Sequence, residues 1–177
     1  MKILFSILLL FTFTQDVALK KQKLTEYLTM KVHPELRNMT QQELSAKFLG
    51  AKIPDAALTE RSSAIEFTVT GSPTFWMEKD IALLKEFYDA SIPPLFSEVN
   101  FTKKDLLTIN EQQFAVYEFT GTPVAENASR PPEKRYTYIM YTLFRNGLVT
   151  ISFSCPPYLQ KEWKPIVTEM MKSVQLK

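Results

Sequence analysis

RYTYIMYTLF (Arg135–Phe144), RNG (Arg145–Gly147) and LVTISFSC (Leu148–Cys155) decide the fold. Two β-rich runs flank an Asn-Gly pair, and this is the strongest short-range signal for a hairpin. Tyr136, Tyr138 and Met140 share one face of the first run. Ile151, Phe153 and Cys155 share one face of the second, because side chains alternate along a strand. Pro156-Pro157 ends the pairing. A final helix then carries Trp163, Ile166, Val167, Met170, Met171 and Val174, with Pro165 in its first turn or at a kink. The tyrosine-bearing face is expected to lie under that helix.

Working outward, Val99–Ile109 and Phe114–Thr120 read as two strands joined by Asn110–Gln113, and Gly121–Lys134 as a long Pro-rich loop. Lys79–Ser91 has an apolar stripe of Ile81, Leu84, Phe87 and Tyr88, with Asp80 in the first turn, where the helix dipole favours an acid. Pro93-Pro94 stops it. Ile65–Thr70 alternates apolar and polar residues and ends at Gly71-Ser72-Pro73; Ala57–Arg61 is its candidate hairpin partner. Thr40-Gln41-Gln42-Glu43 is a capping box, followed by Leu44, Phe48 and Leu49 at helical spacing and a stop at Gly50. Lys20–Lys31 has no decisive period. The order is helix, strands, helix, four strands, helix, with short links that favour antiparallel neighbours. Three amphipathic helices need apolar surface to cover. The expected architecture is therefore α+β, an α/β/α sandwich around a central, mostly antiparallel sheet.

The chain has 177 residues, 45% of them hydrophobic and 23% charged, which fits one globular domain with its own core. Its net charge of +2 and scattered lysines lack the clustered basic stripe that a nucleic-acid backbone needs. Met1-Lys2 followed by the apolar run Ile3–Phe13 reads as a secretory leader, too short to span a bilayer. Cleavage is expected between residues 14 and 18, leaving a single domain over 19–177 in the periplasm or outside the cell.

Catalytic sets are hard to assemble. His33 is the one histidine and, beside Pro34, is expected at the surface in a loop. A triad needs an imidazole beside its nucleophile, and a three-histidine zinc site is excluded. Cys155 is the one cysteine; it has no basic neighbour in sequence to lower its pKa and reads as a buried small hydrophobe. Glu78 with Asp80, and Glu98 with Asp105, are carboxylate pairs only by proximity. Gly50, Gly71, Gly121 and Gly147 are too far apart for a phosphate loop. No metal or cofactor is expected. Asn38, Asn100 and Asn127 sit in glycosylation acceptor patterns, which matter only in a eukaryotic secretory host.

Aromatic residues and arginine are enriched at binding hot spots. On that ground Phe75, Trp76, Arg130 and Tyr138 are the candidate partner-binding residues. The competing reading places Phe75 and Trp76 in the core beneath the Asp80 helix.

The C-terminal third, from Tyr136-Thr137-Tyr138-Ile139-Met140-Tyr141 through Asn146-Gly147 and Ile151–Cys155 to Met170-Met171-Lys172-Ser173-Val174, resembles the PsbP-like superfamily of PsbP, Mog and DcrB-type exported proteins. The hairpin ending at Phe119 and the Asp80 helix stand in the matching order. The resemblance implies an α/β/α sandwich, no shared catalytic site and a role in binding proteins or assisting assemblies. No twin-arginine leader is present, so it implies no role in oxygen evolution. The sequence thus points to an exported, non-enzymatic protein with a protein partner. The alternative is a carrier of small apolar ligands, or a hydrolase working without histidine, with a pocket between sheet and helix.

Overall fold

Every ladder in the computed structural model is antiparallel, both between strands joined by short turns and between strands far apart in the chain. The structure describes residues 18–124 and 132–177. Its elements are β1 (Lys20–Lys23), β2 (Leu28–Val32), β3 (Arg37–Asn38), α1 (Gln41–Lys47), β4 (Ala56–Thr59), β5 (Glu66–Pro73), α2 (Ile81–Ser91), β6 (Phe96–Ile109), β7 (Gln112–Pro123), β8 (Arg135–Phe144), β9 (Gly147–Cys155), α3 (Gln160–Lys172) and β10 (Gln175–Leu176). Short 3-10 turns at Glu78–Asp80, Pro93–Leu95 and Pro157–Leu159 lead into α2, β6 and α3. The leader and its cleavage window up to residue 17 lie outside the described residues, as do Asn127 and Arg130.

Seven strands form the main sheet in the order β3-β4-β5-β9-β8-β7-β6. Its centre is the expected hairpin, with Tyr138 opposite Phe153 and Met140 opposite Ile151. The turn is centred one residue earlier than an Asn-Gly pair suggests. Arg145 and Asn146 take the left-handed conformation, at φ of 51° and 59°, and Gly147 opens β9 opposite Phe144. A slip of one residue would carry the core-facing set to the opposite face, so burial fixes the register. The β6–β7 link is also two residues, Asn110 and Glu111, both at positive φ, because the strands run further toward each other than expected.

Each face of the sheet has its own core. On one, Phe67, Val69, Phe114, Val116, Tyr136, Tyr138, Met140, Ile151, Phe153 and Cys155 pack against Trp163, Val167, Met170 and Met171 of α3. On the other, Ala115, Tyr117, Phe119, Tyr141 and Leu143 meet Ile81 and Leu84 of α2. Strand β7 lies between both cores and buries Phe114–Phe119 without a break. Pro165 falls in the second turn of α3, where it removes one amide donor without ending the helix.

Three expectations need correction. The strands do not all join one sheet: β1, β2 and β10 form a separate three-stranded sheet, whose Leu28, Met30 and Val32 complete the α3-side core. Helix α1 has no buried residue, and Leu49 just beyond it is 88% exposed, so two helices clad the main sheet rather than three. The capping box does form, and Arg37 grips Glu43 with two 2.8 Å hydrogen bonds. His33 is 5% exposed, with its ring edge-on to Trp163 at 5.1 Å. The turn that closes with the Leu36 amide donating to the His33 carbonyl tucks it beneath α3.

Candidate interaction surface

Helix α2 is fastened to the sheet along one stripe. Ile81 and Leu84 are buried, Tyr88 stacks on Tyr141 with ring centroids 3.6 Å apart, and the Tyr117 hydroxyl donates to the Lys85 carbonyl at 2.8 Å. That stripe is complete without Phe87. Leu83 and Phe87, four residues apart and so on one helix face, are 53% and 51% exposed.

The segment that feeds α2 adds to this surface. The Trp76 amide donates to Thr74 Oγ1, and the Met77 amide to Asp80 Oδ2 at 2.9 Å, so two short side chains fix the path. Phe75 is 88% exposed and Met77 is more than half exposed. Phe75 stacks on the half-buried Trp76 at 5.5 Å, Trp76 lies 6.4 Å from Phe87, and Phe87 meets Tyr88 edge-on at 5.3 Å. A chain of rings therefore runs from solvent at Phe75 to the core at Tyr141. Burying Phe75 in a partner would contribute about 1.5–3 kcal/mol, and burying the half-exposed Phe87 about half of that. Contiguous apolar surface of this kind marks interaction sites more often than scattered single residues do.

The structure brings Phe75 and Trp76 together at this lip. Trp76 is partly covered, as the core reading expected, and Phe75 is not covered at all. Tyr138 lies elsewhere, 3% exposed under α3, where burial, Glu118 and Asp105 push its phenol up to about 12. A residue so enclosed offers no surface to a partner. Sequence reasoning assigned Phe87 to the core and passed over Leu83. The available signal was that Ile81, Leu84 and Tyr88 already complete one stripe, leaving Leu83 and Phe87 as a second.

The groups tested for chemistry have structural work. Glu78 accepts the Arg145 amide at 3.1 Å, and Glu98 pairs with Lys134. Asp80 caps Met77, and Asp105 accepts the Leu106 amide. Glu118, a buried carboxylate, meets Lys164 at 2.5 Å and accepts from the Tyr136 hydroxyl at 3.2 Å. Cys155 is wholly buried, and burial pushes its thiol up to about 11, against a smaller opposing pull from Arg135. Among the described residues no group of three His, Cys, Asp or Glu side chains is placed to hold a metal. A cavity of about 540 Å³ lies at the β8–β9 tip, lined by Tyr27, Asp55, Pro73, Phe144, Arg145 and Leu148 among others. Glu26 also lines it, but Lys23 at 2.8 Å binds that carboxylate and holds its pKa below the usual value, opposite to what a general acid requires.

No family model and no curated protein matches the chain. Among solved structures it is similar to cyanobacterial PsbP (CyanoP) from Synechocystis sp. PCC 6803, with a TM-score of 0.55 and 14% identity over 93% of this chain and 96% of that one. It is also similar to the Ran-binding protein Mog1p of Saccharomyces cerevisiae, with a TM-score of 0.50 and 11% identity over 90% of this chain and 96% of that one.

Proposed function

We propose that this chain, which has the PsbP-like fold, is an exported, non-enzymatic accessory protein that binds a protein partner through the lip of α2. One observation carries the reading: Phe75 and Met77 on the segment that feeds α2, and Leu83 and Phe87 on α2 itself, are each at least half exposed, while the inner stripe of the helix is already satisfied. The core gains little from these side chains, so their apolar area is free to bury another surface. Glu78, Lys79 and Glu86 are exposed on the same segment, giving the mixed polar rim that surrounds hot spots. That one similar structure is a Ran-binding protein supports a protein partner as the class of ligand. Export rests on the Met1–Phe13 pattern, and no described helix is long and apolar enough to cross a membrane.

The test is photocrosslinking in the native host, with a photoreactive residue at position 75 or 83 and a control at exposed Tyr158. One protein species should crosslink from the lip alone, and Phe75→Ser with Phe87→Ser should abolish its capture while leaving the fold intact. Equal crosslinking from position 158, or unchanged capture by the double variant, would refute the surface. Terminal sequencing of the mature protein from the exported fraction should find its first residue within 15–19. Retention of Met1 there would remove the leader from the account.

A further inference from the structure

We propose that the cavity at the β8–β9 tip is a second site, binding a carboxylate attached to an apolar group. The cation is Arg145. Its backbone is held by the left-handed turn and by its amide donating to Glu78 Oε1 at 3.1 Å. Its guanidinium lies 5.1 Å over the Phe144 ring and has no carboxylate partner among the described residues. The side chain is exposed and makes no other polar contact among the described residues, so its planar fork is open to a carboxylate in two parallel hydrogen bonds.

Another part of the lining carries both signs of charge, since Lys52 donates to the Gly71 carbonyl beside Asp55. Asp55 Oδ2 accepts the Tyr27 hydroxyl at 2.5 Å and the Gly71 amide at 2.7 Å. Gly71 permits this approach, since a Cβ there would stand 2.9 Å from the Tyr27 hydroxyl. Glu26 is paired with Lys23, and Asp55 disfavours negative charge at its own end of the cavity, so the ligand's carboxylate belongs at the Arg145 end. Asp55 Oδ1 is left to accept an N–H or O–H. Pro73, Phe144, Leu148 and Val149 supply the apolar lining, and about 540 Å³ lies within the range of small-ligand sites. Two sources carry this chemistry: the last residue of a polypeptide, and a free aromatic or aliphatic acid. The site adjoins the lip of α2 through Glu78, which holds the Arg145 amide, but none of the exposed side chains of the lip, Phe75, Met77, Leu83 or Phe87, lines it.

The experiment is an amide-resolved NMR titration of the mature protein with N-acetyl-Leu-Phe, its C-terminal amide and 3-phenylpropionate. The expected result is saturable shifts at Gly71 and Phe144–Val149 with at least one of the two acids. The amide should bind about ten-fold or more weakly, the scale of one lost charge-assisted contact. Tighter binding of the peptide acid identifies a polypeptide terminus as the source, and equal or tighter binding of phenylpropionate a free acid. Arg145→Gln should lose about ten-fold or more. Arg145→Lys, which keeps the charge without the fork, should lose less, and serves alone if the first variant does not fold. Phe75→Ser with Phe87→Ser should bind as the parent does, so failure at one surface leaves the other standing. Absence of saturation by both acids, equal binding of acid and amide, or undiminished binding by the Arg145 variants would overturn the proposal.

Discussion

Replacing Lys164 with Met should destabilise the fold through a residue on the opposite side of the core from the proposed interaction surface. Lys164 Nζ lies 2.5 Å from Glu118 Oε1; the glutamate side chain is 8% exposed and the lysine 45%. A fully exposed pair contributes about 0–1 kcal/mol, and losing one partner of a fully buried pair costs about 3–5 kcal/mol. This pair is half of each kind, so the expected loss is about 2 kcal/mol. For a domain of this size that lowers Tm by about 4–8 °C. Glu118→Gln keeps an acceptor for the Tyr136 hydroxyl and should cost about 1 kcal/mol, since Lys164 can turn to water. With both changes the buried charge is gone, so the double variant should be more stable than the sum of the singles predicts, by about 1 kcal/mol. The assay is urea unfolding of all four proteins by circular dichroism at pH 7. Singles that add within about 0.3 kcal/mol, or a Lys164→Met protein as stable as the parent, would refute the pairing argument.

Three further outcomes follow from the same geometry. Cys155 should resist iodoacetamide in the native protein and react once denaturant is added; full labelling within minutes at pH 8 would contradict its burial. Tyr117, Tyr136, Tyr138 and Tyr141 are held protonated chiefly by burial, with pKa values raised above their ordinary one. Above about pH 10 the unfolded chain loses tyrosine protons that the native state keeps, so stability should fall from there as pH rises toward the native value of about 12 for Tyr138. Their tyrosinate absorbance should appear together with the loss of structure, and smooth titration of all four in a folded protein would argue otherwise. Gly121→Ala places a Cβ 2.7 Å from the Phe96 ring and 3.1 Å from the Glu98 carbonyl, and should cost about 1–3 kcal/mol in thermal unfolding; an unchanged Tm would mean that β6 yields without strain.

The parts of this fold legible in the sequence are those whose signals are local. The hairpin of β8 and β9, the alternation of β5, the capping box and the apolar stripes of α2 and α3 each lie within about a dozen residues. The three-stranded sheet was not legible. Its first strand, Lys20–Lys23, is exposed throughout and has no apolar alternation. Its last is two residues, Gln175 and Leu176, pairing with Thr29 and Leu28 at the other end of the chain. His33 shows the same limit, since the ring that covers it, Trp163 in α3, lies far from it in sequence. At the proposed interaction surface, composition marked Phe75 and Trp76, whereas Leu83 and Phe87 were hidden by an apolar stripe that Ile81, Leu84 and Tyr88 already complete. Arg145 escaped notice because its interest lies in a turn register one residue from the usual one.

The two tryptophans stand on opposite faces of the main sheet. Trp163 is sealed among His33, Phe153 and the α3 core, and Trp76 lies half-open at the lip. The protein thus carries two tryptophan fluorophores in different surroundings. A ligand arriving at the lip should shift and shield the red-edge emission of Trp76 while the blue emission of Trp163 stays constant, and only global unfolding should move both. Acrylamide quenching can therefore distinguish occupancy from denaturation without any added dye.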